Sequence, residues 1–244
     1  MTRIVATIEA RMASTRLPGK VLADIGGKPA LEVMIERLRL VPELNAIVLA
    51  TTLNASDDAV EALGRRLGVG VWRGSEDDVL QRVLDAARNH KADVIVELTG
   101  DCPLIDPAVV SAVVRRYLEA GVDYVSNILT RSFPIGMDTQ VFAVKVLADV
   151  SRRTADAADH EHVSLYIYRH PERYSLANLL AKPAETRPQL RLTLDTAEDL
   201  RVIRAVHAAL SPEGAGYSVA RMIEFLDADP NTARINAAIE HRWV

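Results

Sequence analysis

Between Ala10 and Ala23 the chain carries three cations, Arg11, Arg16 and Lys20, and no acidic residue. Ser14 and Thr15 add hydroxyls to the same segment, ARMASTRLPGK at 10–20, and Gly19 lets the backbone approach a ligand closely. The segment follows a short apolar run, so it reads as a loop beyond the end of a buried strand. Cations and free backbone N–H groups in such a loop suit an anionic phosphate chain. Arginine grips phosphate oxygens in pairs, and lysine acts as a point charge on the outer phosphates. A solvated basic loop has the same composition, so spacing alone leaves both readings open. The segment is not a Walker-type loop, because the upstream glycine and a Ser or Thr after Lys20 are both missing. Nor is Gly68-Val69-Gly70 a dinucleotide fingerprint, since the next glycine is Gly74.

Two further strand ends supply carboxylates. VELTGDCP at 96–103 turns at Gly100 and sets Asp101 just past an apolar strand. LTLDTAEDL at 192–200 sets Asp195 at the end of an alternating one, on the Arg191/Thr193 face. If both strands join one parallel sheet, both carboxylates reach the edge that carries the basic loop. Two carboxylates, phosphate oxygens and water make the hard oxygen shell that Mg²⁺ prefers. Taken singly, either Asp is more commonly a turn or cap residue, and Thr196 offers a rival cap beside Asp195.

The elements that must hold these groups alternate along the chain. Strands are predicted for IVATI (4–8), AIVLA (46–50), VGVW (69–72), DVIVEL (93–98) and VDYV (122–125); the first two are apolar throughout, as in strands covered on both faces. Leu31, Met34, Ile35 and Leu38 mark one amphipathic helix. Val79, Leu80, Val83, Leu84 and Ala87 mark another, with Ser75 as its N-cap. Asp106-Pro107 reads as a cap with proline at the first helical position. This order predicts an α/β fold with a mostly parallel sheet and right-handed crossovers. Beyond about Ser126 the rhythm changes: loop and strand over 126–142, helix over 145–170, an outlying strand over 174–181. LRLTL (190–194) is predicted as a strand, followed by a helix from Thr196 to about Leu210 and, after SPEGAG (211–216), a helical tail.

The 244 residues hold 49% hydrophobic and 25% charged residues, enough apolar content for a substantial core and against wholesale disorder. Net charge of −4 speaks against a generally basic nucleic-acid binder. One cysteine rules out an intramolecular disulfide and fits a reducing compartment. No apolar run approaches the roughly 18–20 residues that span a bilayer. The expectation is a cytoplasmic protein of one domain over 1–244: a nucleotide-binding half (1–125), a small late-inserted lobe for the acceptor or for dimerisation (about 126–190), and a closing portion (190–244).

ARMASTRLPGKVL, GGKP at 26–29, TGDCPLIDP at 99–107 and LTLDTAEDL resemble the cytidylyltransferases that activate acidic sugars, the acylneuraminate and 3-deoxy-manno-octulosonate enzymes. RGSEDDVLQR (73–82), DYVSN (123–127) and EHVSLYIYRHPER (161–173) bring the chain nearest the spore-coat-polysaccharide type. The resemblance covers essentially the whole chain and implies a GT-A-like, Rossmann-like three-layer sandwich. It also implies Mg²⁺-dependent transfer of CMP from CTP to a small acidic acceptor, with pyrophosphate released, and frequently a homodimer. By resemblance, Arg11, Ser14, Arg16 and Lys20 hold the triphosphate, with Arg11, Lys20 and Asp101 catalytic. Asp101 and Asp195 hold the metal, and Ala50, Thr51, Arg73 and Ser75 hold base and ribose. Glu9, Ala13, Thr99 and Cys102 depart from the family pattern, the last two weakening the octulosonate assignment in particular.

Asp138 and Gln140 share a face if 137–142 is a strand, and with His162 they are candidate acceptor contacts. His160 and His162, two apart, point to different sides of a helix and make a poor metal pair. Cys102 has no histidine at motif spacing and reads as structural; Trp72, Tyr117, Phe142 and Tyr166 read as core or interface. Rival readings are a nucleotidyltransferase using another NTP or a molybdopterin-type acceptor, and a catalytically silent nucleotide-binding protein. A glycosyltransferase lacks support, because no Asp-x-Asp follows a strand.

Overall fold

A computed structural model describes residues 2–241. Strand β1 (Ile4–Glu9) leads into the basic loop and a two-residue hairpin pair, β2 (Asp24–Ile25) and β3 (Lys28–Pro29). Then come α1 (Ala30–Leu38), β4 (Ala46–Thr52), α2 (Asp58–Leu67), β5 (Gly70–Gly74), α3 (Val79–Asn89), β6 (Val94–Thr99) and α4 (Pro107–Ala120). The later half adds β7 (Tyr124–Ser126), β8 (Gln140–Ala143), α5 (Val144–Arg153), α6 (Ala157–Glu161), α7 (Leu165–Arg169) and β9 (Leu176–Asn178). Helices α8 (Ala197–Leu210), α9 (Val219–Ala228) and α10 (Pro230–Arg234) follow.

Seven strands form one sheet in the order β5-β4-β1-β6-β8-β7-β9. Only β8 runs against the others, pairing antiparallel with β6 and β7. The late segment thus extends the same sheet rather than starting another. Alternation sorts the strand residues between two cores. Ile4, Ala6, Ile8, Val96 and Leu98 meet α1 and α4 on one face, while Val5, Val48 and Ile95 meet α3 and α5 on the other. A third core gathers Leu192, Leu194 and the apolar stripes of α8 and α9. Phe142 is buried, and Trp72, Tyr117 and Tyr166 pack partly buried against the first two cores.

Three local expectations need correction. LRLTL forms no strand: Arg191 makes one isolated bridge to Ile135, and Leu194 N–H donates to the Asp101 carbonyl. Its alternation arose because both sides of an extended segment are buried, the leucines in the third core and Arg191, Thr193 and Asp195 among polar partners. Ser75 does not cap α3; Asp78 does, accepting from Gln81 N–H at 2.9 Å, and Ser75 Oγ accepts from Asp78 N–H. The helix expected over 145–170 breaks into three, at Thr154 in extended conformation and at Val163, whose φ is 35°. Asp106 caps α4 with Pro107 at its start, as the dipeptide predicts.

Candidate active site

The carboxyl ends of β1 and β6 adjoin because Gly100 N–H donates to the Glu9 carbonyl at 2.8 Å. A Cβ on Gly100 would sit 2.8 Å from that same oxygen, so only glycine allows the turn that brings Asp101 back over the sheet edge. The basic loop is pinned at Gly19, in left-handed conformation with φ 72° and donating to the Met12 carbonyl. Asp57 accepts from Met12 N–H at 2.7 Å and fixes the loop's other shoulder. Asp195 reaches the same place from outside the sheet, on a segment held by Leu194 N–H and by Thr193 Oγ1, both donating to the Asp101 carbonyl.

These supports bring three side chains together. Lys20 Nζ donates to Asp101 Oδ2 at 2.8 Å and to Asp195 Oδ1 at 2.7 Å. Asp195 Oδ2 takes Arg16 at 2.9 Å and the buried Arg191 at 3.4 Å. Burial pushes the Asp101 carboxyl up, but the charge and hydrogen bond of Lys20, with donors Thr99 and Cys102, bring it below its ordinary value. Burial pulls Lys20 down, and the two aspartates more than offset it, leaving the ammonium above its usual range. Asp195 is not the cap of α8. Thr196 fills that role in a capping box with Asp199, which also binds Arg191 at 3.0 Å.

Two cavities meet at this cluster. The first, about 640 Å³, is lined by Arg11, Ser14, Arg16 and Lys20 together with Glu76 and Arg82. The second, about 700 Å³, is lined by Asp138, Gln140 and His162 with Arg131, Glu97 and His241. Glu9, Arg16, Asp101, His162 and Asp195 border both. Arg11 meets Glu76 at 3.2 Å, and Asp138 forms a two-point pair with Arg131, 3.0 Å at each oxygen. Gln140 Oε1 accepts from the hydroxyls of Tyr124 and Ser164.

Four residues assigned to base and ribose do not come to the cleft. Ala50 and Thr51 are fully buried in β4. The Arg73 guanidinium is committed to Asp58, Glu61 and the carbonyls of Thr52 and Asn54. Ser75 stays at the entry to α3. From the same RGSEDDVLQR segment it is Glu76, Val79 and Arg82 that face the first cavity. Arg131, Glu97 and His241 escaped the sequence reading; a lone carboxylate inside the apolar run DVIVEL was the available signal for Glu97. His160 bonds Asp78 at 2.8 Å and the Thr154 carbonyl, away from any shared site with His162. Cys102 is buried, which pushes its thiol well up, and its Sγ–H donates to Asp101 Oδ1 at 3.6 Å.

A parallel sheet edge bearing a cationic loop and two converging carboxylates defines the nucleotidyltransferase class of α/β enzymes. The chain belongs to the cytidylyltransferase family, whose model, described as Cytidylyltransferase, matches residues 5–223. It is 36% identical over 238 residues to the spore coat polysaccharide biosynthesis protein SpsF of Bacillus subtilis, covering 96% of this chain and 98% of that one. It is 30% identical over 225 residues to a 3-deoxy-manno-octulosonate cytidylyltransferase of Solibacter usitatus, covering 85% of this chain and 88% of that protein. A solved cytidylyltransferase structure from Leptospira borgpetersenii superposes over 100% of both chains with TM-score 0.90 and 30% identity. Among the described residues no helix is long and apolar enough to cross a membrane.

Proposed function

We propose that this enzyme transfers CMP from CTP to a small acidic acceptor with Mg²⁺ as cofactor. The observation that carries the reading is the convergence of Asp101 and Asp195 on one cation, the Lys20 ammonium, where the two cavities meet. Among the described residues no group of three or more metal-binding side chains exists. Two carboxylates completed by phosphate oxygens and water suit Mg²⁺ delivered with the nucleotide. Bound Mg²⁺ neutralises phosphate charge and lowers the pKa of an acceptor oxygen.

The chain's own residues do the rest. Arg11, Ser14, Arg16 and Lys20 hold the triphosphate along the first cavity and steady the departing pyrophosphate. Asp138, Gln140 and His162, with Arg131, orient the acceptor in the second so that its oxygen meets the α-phosphorus in line. Positioning and charge account for the catalysis. Acidic-sugar activation for a surface polysaccharide is the pathway class that the relatives' names support. The proposal includes a cytoplasmic homodimer, resting on family resemblance alone. Val163, Leu165 and Ile167, apolar residues of the late lobe, are fully buried in this chain's own interior.

Pyrophosphate release from each NTP with Mg²⁺, against a panel of acidic acceptors, tests the reading. CTP should be the preferred donor; faster turnover of ATP or GTP overturns it. Light scattering tests the dimer, and a monomer at tens of micromolar counts against it, taking roughly micromolar as weak specific association.

A further inference from the structure

The carboxylates of Glu9 and Glu97 take no part in the reaction as derived, yet they sit where the cavities meet. Strand register sets Glu9 opposite Thr99 and Glu97 opposite Thr7, so the two are diagonal neighbours on the same face of the sheet. Both line the second cavity. Glu97 is only 4% exposed, and its Oε2, like Oε1 of Glu9, is buried without a hydrogen-bond partner. Tyr124 and Ser164 both donate to Gln140 Oε1 at 2.5 Å, and Ser164 is the hydroxyl that also reaches Glu97. Arg82 directs a guanidinium nitrogen to the carbonyls of Ser75 and Glu76. Arg82 and Arg11 pull the Glu9 carboxyl down, but burial outweighs them and raises it to about 7; burial and Glu9 push Glu97 well above its ordinary value. The pair is short of a positive donor, and a proton held between the two carboxyl groups is the least that satisfies it.

Resting on the reading of an acceptor in the second cavity, we propose that Glu9 and Glu97 form a cation-recognising subsite that takes a primary ammonium group of the acceptor. An ammonium brings three donors and a positive charge to two buried carboxylate oxygens that have no hydrogen-bond partner. A hydroxyl brings one donor and no charge. A divalent ion wants more oxygen ligands than the pair offers. Arg16 and Arg131 line the same cavity, ion-paired with Asp195 and Asp138, and an acidic group of the acceptor would share those guanidiniums. The acceptor class is therefore zwitterionic: a sugar acid or phosphonate with a free amine.

The test uses acceptors that differ only at nitrogen, each with CTP and Mg²⁺: aminoethylphosphonate against hydroxyethylphosphonate, and glucosaminuronic acid against its N-acetyl form. The wild-type enzyme should favour the free amine in kcat/KM by roughly tenfold or more, the worth of a charged hydrogen bond. Glu97→Gln should bring that ratio towards one while CTP with Mg²⁺ still raises the melting temperature. Glu9→Gln, on the less buried member, should do the same and stands in if Glu97→Gln fails to fold. A wild-type ratio at or below one overturns the proposal. So does a ratio unmoved in the variants, which is what a purely structural or proton-handling pair gives. Turnover of neither pair by a protein that CTP stabilises also overturns it and leaves the nucleotide reading standing. A wild-type protein that CTP with Mg²⁺ does not stabilise overturns the nucleotidyl-transfer reading itself.

Discussion

Lys20 Nζ stands 2.8 Å from Asp101 Oδ2, and its second bond, 2.7 Å to Asp195, makes it the cation around which the site closes. On the proposed function, a lysine in that position competes with the metal for the same carboxylates and turns towards phosphate when both bind. Lys20→Met should therefore lower the Mg²⁺ concentration needed for half-maximal rate. The same change should cost about 10²–10³-fold in kcat, by analogy with removing one preorganised donor. A Mg²⁺ titration of pyrophosphate release reads both. An unchanged half-saturating concentration would count against the competition.

Asp195 separates cleanly from its neighbour Thr196. The first is gripped by Lys20, Arg16 and Arg191, and the second caps α8. Thr196→Ala should cost about 1 kcal/mol of stability, the usual worth of a cap, with kcat nearly unchanged. Asp195→Asn should collapse kcat and raise the Mg²⁺ requirement. Combined with Asp101→Asn, its effect should be far from additive, because both carboxylates act on one cation. Wild-type kinetics in Asp195→Asn at limiting Mg²⁺ would remove the two-carboxylate site.

Glu9 makes stability depend on pH in a direction opposite to a salt-bridged carboxylate. Its carboxyl rises from 4.5 to about 7 on folding, chiefly through burial, so between those values the native state keeps a proton that the unfolded chain releases. Stability then falls as pH climbs through that window. Glu9→Gln, which is neutral throughout, should melt several degrees above wild type at pH 8 and near it at pH 4. Parallel melting curves at the two pH values would contradict the assignment.

What the sequence disclosed follows from how each residue is used. β1, β4 and β6 were legible because buried parallel strands must be apolar on both faces, and the basic loop because its charges stand together in sequence. LRLTL misled because alternation reports two environments, not a ladder; Arg191 alternates with leucine because it is paired with Asp199 inside the protein. Arg131, Glu97 and His241 were missed because three separate segments bring them to the second cavity. Arg73 shows the converse, with motif position setting its neighbourhood while Asp58 and Glu61 on α2 set its direction.

Cys102 lies against the site without the means to act in it. Its Sγ–H donates to Asp101, Thr99 Oγ1 is 3.4 Å away, and burial keeps it a thiol. Cys102→Ser supplies a hydroxyl donor in the same place and should keep most of the activity. Wild-type protein should resist iodoacetamide at pH 8 when folded and react once unfolded. A thousandfold loss of kcat in the folded serine variant would mean that the thiol takes part in chemistry.

The support beneath Asp195 makes a last prediction that rests on backbone geometry. Ile135 N–H donates to the Leu190 carbonyl and Leu192 N–H to the Ile135 carbonyl, so the 134–137 turn carries the segment that ends at Asp195. Gly136 sits in that turn with φ 104°, and a Cβ there would lie 2.6 Å from both the carbonyl carbon and the oxygen of Leu192. Gly136→Ala must therefore strain its own backbone and push the 191–195 segment away. Strained backbone of this kind costs about 1–3 kcal/mol, which should appear as a lower melting temperature. Displacement of Asp195 by even about 1 Å should lower kcat by roughly 100-fold, since the reacting groups are held by position. The half-saturating concentration of CTP should change little, because Arg11, Ser14 and Arg16 belong to a different loop anchored at Met12 and Gly19. If Gly136→Ala instead weakens CTP binding as much as it slows turnover, the turn supports the nucleotide cavity and its link to Asp195 is incidental.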